Sequence, residues 1–272
     1  MVEATYRVTT LGCRVNRADS LQLESDLRDR GLKRAGSGET PDVWVVNTCA
    51  VTAEGMRKSR KAARRAALEG ARVLVTGCGV DYDLSAWSGK RVMELFPNAA
   101  KASMIGAALG DEREGVPFRE VDPGELVRVP LKVQDGCSRF CAYCIVPYLR
   151  PRPFSRCSRE VARQAEALCA GGTGEIILCG IDLGSYREPS SGEGVGRLVE
   201  EVSRACGDTW LRLSSIEFGD VDETVIEQMN TGRLCEHLHL PVQSGSDEVL
   251  ARMGRGYTAG EFERAVSDLR GA

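Results

Sequence analysis

The sequence predicts an α/β protein made of two successive parallel-sheet domains, residues 1–125 and 126–272. Three observations predict it. Short apolar runs alternate with longer segments of helical periodicity, the spacing of the units lengthens in the second half, and the two halves are separated by ASMIGAALGDEREGVPFREVDPGELVR, a polar stretch with the Gly and Pro content of a connection.

The first domain opens with the strand-like TYRVTTLG. A helix follows from Asn16 to Arg30, with Leu23 and Leu27 on one face, Asp19 three residues after Asn16 at its start and Gly31 at its stop. VWVVNT, residues 43 to 48, reads as a short buried strand, the next helix opens near Thr52, and the apolar run Arg72 to Thr76 ends in Gly77. This βαβαβ order predicts a parallel, flavodoxin-like sheet. DYDLSAWSGKRVMELFPNA adds one more helix and strand.

In the second domain LKVQ leads into a cysteine-rich loop. A helix from Ser158 to Cys169 turns Val161, Ala165 and Leu168 inward and stops at Gly171, and EIILCG is a continuous apolar strand. Then come a helix over Val195 to Cys206, the strand WLRLSSI, the helix DETVIEQM, the strand HLHLPVQ and the helix DEVLARM; Thr258 and Glu261 form a capping box for a last helix. Repeated strand-helix units predict a parallel (β/α) barrel or part of one, with its chemistry at the carboxyl ends of the strands.

Composition narrows the function. A formal net charge of −3 argues against a chain that binds nucleic acid over its whole surface, so any RNA site must be a local patch. There is no apolar run long enough to span a bilayer, and MVEATYRV lacks the basic and apolar regions of a signal peptide, so a cytoplasmic protein with no membrane partner is expected. Eleven cysteines, an odd number, in such a compartment point to metal or cluster ligands rather than to a disulfide framework.

Cys137, Cys141 and Cys144 stand in the spacing C-x3-C-x2-C within VQDGCSRFCAYCIVPYLRPRPFSR. Three soft thiolates that close together suit an iron-sulfur cluster and leave one iron open to a non-protein ligand. The rival is a structural zinc site completed by Cys157, with a disulfide or ordinary buried thiols behind it. Cys13, Cys49 and Cys78 each follow a predicted strand directly, in LGC, NTC and TGC. Carboxyl ends of neighbouring parallel strands line one crevice, so these three either meet in a second three-thiolate site or are simply buried strand-end residues. After the second signature, Arg57, Arg60, Lys61, Arg64 and Arg65 recur at helical spacing opposite Ala62, Ala63, Ala66 and Ala67. That stripe is either a phosphate-binding face or a solvated one.

The pattern C-x3-C-x-aromatic-C, with Tyr143 as the aromatic residue, resembles the cluster loop of radical S-adenosylmethionine enzymes. LGCRVNRADS, VVNTCAVTAEGMRKSR and VTGC resemble the three cysteine signatures of methylthiotransferases, and GC-x-VN with NTCAVT is most similar to the branch acting on threonylcarbamoyladenosine in tRNA, the MtaB type. The resemblance implies two 4Fe-4S clusters, one on Cys137, Cys141 and Cys144 and an auxiliary one on Cys13, Cys49 and Cys78, with S-adenosylmethionine at the open iron of the first and Tyr143 beside its adenine. It implies a radical S-adenosylmethionine partial barrel for the second domain. CGIDLGSY, LRLSSIE and HLHLPVQSGSDEVLARMGRGYT are similar to family segments, which makes Gly180, Ser214, Ser215, Gln243 and Ser244 candidates for the S-adenosylmethionine pocket; Cys179 and Asp182 stand where the family has threonine and histidine. No residue is assigned a catalytic role of its own, His237 and His239 are read as barrel-face residues, and Arg150 and Arg156 match a basic segment that would steer RNA. The partners implied are tRNA and an electron donor such as flavodoxin or ferredoxin. Family members continue into further barrel strands and a C-terminal TRAM domain, so a C-terminally truncated chain ending after about four barrel strands is expected. The implied activity is addition of a methylthio group to C2 of N6-threonylcarbamoyladenosine next to the anticodon. The alternatives are another tRNA adenosine or a ribosomal protein as target, or a non-catalytic iron-sulfur or zinc-binding RNA-interaction fragment.

Overall fold

The computed structural model describes residues 3–87, 93–111, 113, 121, 124 and 126–272, and the chain divides into the units Met1–Asp122 and Pro123–Ala272. The boundary expected near residue 125 lies outside the described residues. In the first unit the elements run β1 (Thr5–Thr10), α1 (Arg14–Asp29), β2 (Lys33–Arg34), β3 (Val43–Thr48), α2 (Ala53–Leu68), β4 (Arg72–Gly77), α3 (Cys78–Tyr82), β5 (Glu94–Phe96) and α4 (Met104–Leu109). The sheet is parallel in the order β2-β1-β3-β4-β5, the flavodoxin order. β3 is buried at every position, as a central strand covered on both faces requires, which is why VWVVNT carries no polar alternation.

Two expectations change in this unit. Asn16 is not the cap of α1: Cys13 occupies that position without a side-chain cap bond, while Asn16 is 1% exposed and spends its amide on backbone carbonyls. Asp19, read as part of the same start signal, is instead buried against Lys101, with Nζ 2.8 Å from its carboxylate. The expected connection also contains α4, because Met104, Ile105 and Ala108 complete the core formed by Tyr6, Leu23, Leu27, Val45 and Leu74.

The second unit contains β6 (Arg128–Lys132), β7 (Gln134–Asp135), α5 (Val146–Leu149), β8 (Phe154–Ser155), α6 (Ser158–Ala170), β9 (Glu175–Cys179), α7 (Val195–Cys206), β10 (Trp210–Leu213), α8 (Glu223–Asn230), α9 (Asp247–Arg252) and α10 (Ala259–Gly271). β6, β9 and β10 form a parallel sheet in the order β10-β9-β6, and the short antiparallel pair β7 and β8 frames the cysteine loop. α6 lacks a side-chain cap at Cys157; the Glu188 carboxylate accepts from Ser158 N at 2.7 Å and takes that place. The Thr258 and Glu261 capping box forms as expected at α10.

HLHLPVQ does not become a strand. It meets the β10 side of the sheet at the parallel bridge Ser215 to His239, and the residues just before it do so at Leu211 to Leu234. Between them one chain advances by four residues and the other by five, so an extra residue interrupts the ladder, and a tight His237 N to Cys235 O bond of 2.6 Å removes a further amide from it. His237 and His239 therefore do not share a strand face; His239 Nδ1 is hydrogen-bonded to Ser215 Oγ at 2.7 Å. Among the described residues no helix is long and apolar enough to cross a membrane.

Candidate functional site

Two groups of thiols dominate the chemistry, one in each unit. In the first, Cys13 caps α1 after β1, Cys49 follows β3, and Cys78 opens α3 directly after β4. These three strands are neighbours in the sheet, so the cysteines share its carboxyl edge. Their proximity is electrostatic as well: burial pushes the Cys49 thiol up, and the sulfurs of Cys78 and Cys13 push it further.

A lattice of buried polar side chains holds the three segments together. Asn16 Nδ2 donates to Leu11 O at 2.9 Å and Thr48 O at 2.7 Å, tying the Cys13 segment to the Cys49 segment. Thr48 Oγ1 donates to Thr76 O at 2.6 Å and accepts from Gly79 N at 3.0 Å, tying Cys49 to Cys78. Ser59 Oγ accepts from Cys49 N at 3.0 Å. Gly12, at φ +95°, leaves room for the thiol: a Cβ there would lie 2.7 Å from Cys49 Cβ and 2.8 Å from its Sγ. Asn16, Thr48 and Ser59 stand inside the signature segments, yet only the fold shows that they brace rather than ligate.

In the second unit Cys137, Cys141 and Cys144 sit on the loop after β7. Gly136, at φ +76°, lets that loop pass the returning chain, since a Cβ would fall 2.6 Å from the Arg152 carbonyl. Cys144 N donates to Cys141 O at 2.9 Å and Arg139 N to Cys137 Sγ at 3.5 Å. Gln134, 1% exposed, joins the loop to the end of β9: its Nε2 donates to the carbonyls of Asp135 and Gly136, and its Oε1 accepts from Asp182 N at 2.9 Å. Burial pushes the Cys137 thiol up, and the neighbouring Asp182 carboxylate adds to that.

Both donor sets consist of three thiols, which fits an iron-sulfur cluster. Among the described residues no three Cys, His, Asp or Glu side chains converge closely enough for a single metal ion. Cys157 does not complete a zinc tetrahedron. Cys157 stands after β8 and immediately before α6 rather than on the cysteine loop, and the register of Gln134 with Ser155 and Asp135 with Phe154 carries it towards the β6 end of the pair.

The expected pocket residues divide. Tyr143 is exposed beside the loop, within electrostatic range of Arg255 and of the Cys141 and Cys144 sulfurs. Gly180 packs on Gln134, whose Oε1 would be 2.7 Å from an added Cβ. Ser214 is buried with its Oγ lacking a hydrogen-bond partner, Ser215 is engaged by His239, Gln243 holds a left-handed φ of +62°, and Ser244 Oγ accepts from Ser246 N at 3.1 Å. Five of the six follow β9 or β10 or lie in the loop before α9, while Tyr143 lies on the cysteine loop.

Several charged residues have roles the sequence did not disclose. Arg150 does not face RNA: it is 6% exposed, with Nη1 2.7 Å from both oxygens of Asp135. Arg156 is 4% exposed, donates to Lys132 O and Gln164 Oε1, and burial lowers its pKa to about 10. Arg139 joins Asp182, at 2.7 Å, to Asp220, and Arg255 pairs with Glu217 while reaching Cys141. Of Arg139, Asp182, Asp220, Glu217 and Arg255, the sequence marks only Asp182, as a departure from the family segment. On α2, Ala63, Ala66 and Ala67 face inward as expected while Ala62 is only half-buried; Arg57 pairs with Glu54, Arg65 with Glu69 and Arg60 is half-buried, leaving Lys61 and Arg64 as the exposed centre of the stripe.

Both units resemble known proteins. Residues 5–96 match the uncharacterized protein family UPF0004, and residues 131–272 match the radical SAM superfamily. The chain is 33% identical over 294 residues to a threonylcarbamoyladenosine tRNA methylthiotransferase MtaB of Bacillus subtilis, covering 99% of this chain and 64% of that protein. It is 33% identical over 300 residues to a tRNA-2-methylthio-N(6)-dimethylallyladenosine synthase of Geobacter metallireducens, covering 99% of this chain and 66% of that one. The chain thus spans a little under two thirds of these relatives. A radical S-adenosylmethionine methyltransferase, TsrM, from Kitasatospora setae, solved with tryptophan substrate and an S-adenosylmethionine analogue, shares the fold at a TM-score of 0.61 and 15% identity, over 98% of this chain and 65% of that one.

Proposed function

The chain belongs to the radical S-adenosylmethionine superfamily and, within it, to the methylthiotransferases of MtaB type, and from this premise we propose that it is the cluster-bearing part of a tRNA methylthiotransferase. Its substrate is N6-threonylcarbamoyladenosine next to the anticodon, methylthiolated at C2, in the cytoplasm, with a flavodoxin or ferredoxin as electron donor. Two three-thiol groups, one at the carboxyl edge of the first unit's sheet and one on the loop after β7, carry this reading. Cys137, Cys141 and Cys144 would hold one 4Fe-4S cluster, with S-adenosylmethionine beside it, and Cys13, Cys49 and Cys78 would hold the second. When bound, these groups supply the radical and sulfur chemistry.

The chain's own residues bind and orient. Gln134 and Gly136 set the course of the loop carrying the first three thiols, Arg139 anchors it to Asp182 and Asp220, and Tyr143 offers an exposed ring for an adenine. Asn16, Thr48 and Ser59 fix the other three thiols before any cluster arrives, which limits the ordering that binding must impose. Lys61 and Arg64 on α2 present positive charge to tRNA phosphates.

Anaerobic reconstitution of the chain with iron and sulfide tests the reading. About eight irons per chain are expected, falling to about four when Cys13, Cys49 and Cys78 are replaced by alanine. One tightly held zinc in place of iron would reject it. The target is checked by mass spectrometry of tRNA nucleosides from cells lacking the gene: unchanged methylthio-nucleosides would exclude tRNA as substrate.

A further inference from the structure

The cysteine loop of the second unit is gripped by a segment more than a hundred residues further on. Met253 O, at the end of α9, accepts from Ala142 N at 2.9 Å, between two of the loop cysteines. Gly254 then turns at φ +73° and directs Arg255 back towards the loop. The Arg255 side chain is 6% exposed. Its Nη2 pairs with Glu217, and Nε and Nη2 each lie 3.3 Å from Tyr257 Oη, whose ring centroid is 5.2 Å from the guanidinium carbon. Tyr257 is itself fixed, donating towards Pro241 O and Val242 O and packing edge-on against Phe218 at 4.9 Å. The remaining nitrogen, Nη1, lies 3.4 Å from Cys141 Sγ.

This arrangement leaves the guanidinium little freedom. A guanidinium keeps its proton in a protein, and here the Glu217 carboxylate and Tyr257 Oη hold it in place. A fixed N–H aimed at one cysteine sulfur in a poorly solvated place acts on any electron-rich group bound there, because it stabilises the added negative charge on reduction.

We propose that Arg255 is a positioning residue that donates a hydrogen bond to the Cys141 thiolate of the loop cluster and thereby raises that cluster's reduction potential. The inference rests on the cluster assignment made under Proposed function. Glu217 serves to orient the guanidinium so that Nη1 faces the sulfur. Reduction takes up one electron from a one-electron donor, and no proton moves; Arg255 changes how readily that electron is accepted.

The test uses the full chain with Cys13, Cys49 and Cys78 replaced by alanine, so that only the loop cluster is seen. After anaerobic reconstitution, iron and sulfide are counted and the midpoint potential is measured by redox titration with mediators, read by electron paramagnetic resonance. Arg255→Gln is expected to keep about four irons while its reduction equilibrium falls at least about tenfold, or 59 mV for one electron. Arg255→Lys keeps the charge against Glu217 but is too short to reach the sulfur as well, so its midpoint falls too; it carries the test if the glutamine variant does not load. A midpoint unchanged from the parent in either loaded variant overturns the inference. A parent chain that takes up no cluster overturns the assignment on which the inference rests.

Discussion

Replacing Gly12 with alanine separates the part of the first thiol site that is backbone geometry from the part that is packing against a cysteine. An added Cβ would stand 2.7 Å from Cys49 Cβ and 2.8 Å from Cys49 Sγ, distances that carbon and sulfur do not sustain. Cys49 cannot retreat easily, because its amide donates to Ser59 Oγ at 3.0 Å and that hydroxyl is itself held on α2, donating to Gly55 O at 2.8 Å. The φ of +95° adds a strain of about 1–2 kcal/mol for any residue with a Cβ. Gly70, with φ +88° and nothing within 4 Å of an added Cβ, provides the control that carries the strain without the clash. Gly70→Ala is therefore expected to lose about 1–2 kcal/mol, and Gly12→Ala about 1–3 kcal/mol more through overpacking. Calorimetry reads the difference at about 3–6 °C per kcal/mol for a unit of this size. Displacement of Cys49 should also lower reconstituted iron from about eight to about four per chain in Gly12→Ala alone. If the two variants have the same melting temperature and the same iron content, the idea that Gly12 is required by Cys49 is wrong.

Further outcomes follow from other sites. Replacing Lys61 and Arg64 together with alanine should weaken tRNA binding evenly across sequences and reduce the slope of log affinity against log salt by about 0.7–0.9 for each phosphate that is no longer neutralised. Because both side chains are exposed, stability should change by under about 0.5 kcal/mol, and an unchanged salt slope would return the stripe to a solvated surface. Glu188 behaves in the opposite way. Burial opposes its charge, yet bonds from Ser158 N, Tyr186 Oη and Ser190 Oγ outweigh this and hold its pKa below the ordinary value. A depressed folded-state pKa contributes stability in full above the unfolded value of about 4.3 and loses it as pH falls through the folded one. Glu188→Gln should consequently be less stable than the parent at pH 7, with the gap narrowing in acid; denaturant midpoints that stay equally far apart at pH 7 and pH 3 would refute the linkage.

Where sequence reading succeeded, the signal was local. VWVVNT forms β3 over the expected residues because six buried positions in a row permit no other periodicity, and Thr258 with Glu261 caps α10 because both partners lie within one turn. Where it failed, the deciding partner was remote. Asn16 has a favourable residue type for a cap, but its amide serves Thr48 O, 32 residues away. Arg150 and Arg156 sit in a basic, proline-containing segment that reads as surface, yet Asp135 and Gln164 draw them into the interior. HLHLPVQ has a strand's composition and loses the ladder to one extra residue opposite β10.

By itself the sequence determined the alternation of elements and one set of thiols, since C-x3-C-x2-C brings Cys137, Cys141 and Cys144 near one another through chain connectivity alone. Only the tertiary structure decided what surrounds them. The strand order brings Cys13, Cys49 and Cys78 to neighbouring edges, and Arg255 reaches Cys141 across 114 residues. Such contacts depend on hydrogen bonds and burial between distant segments, which no spacing along the chain encodes.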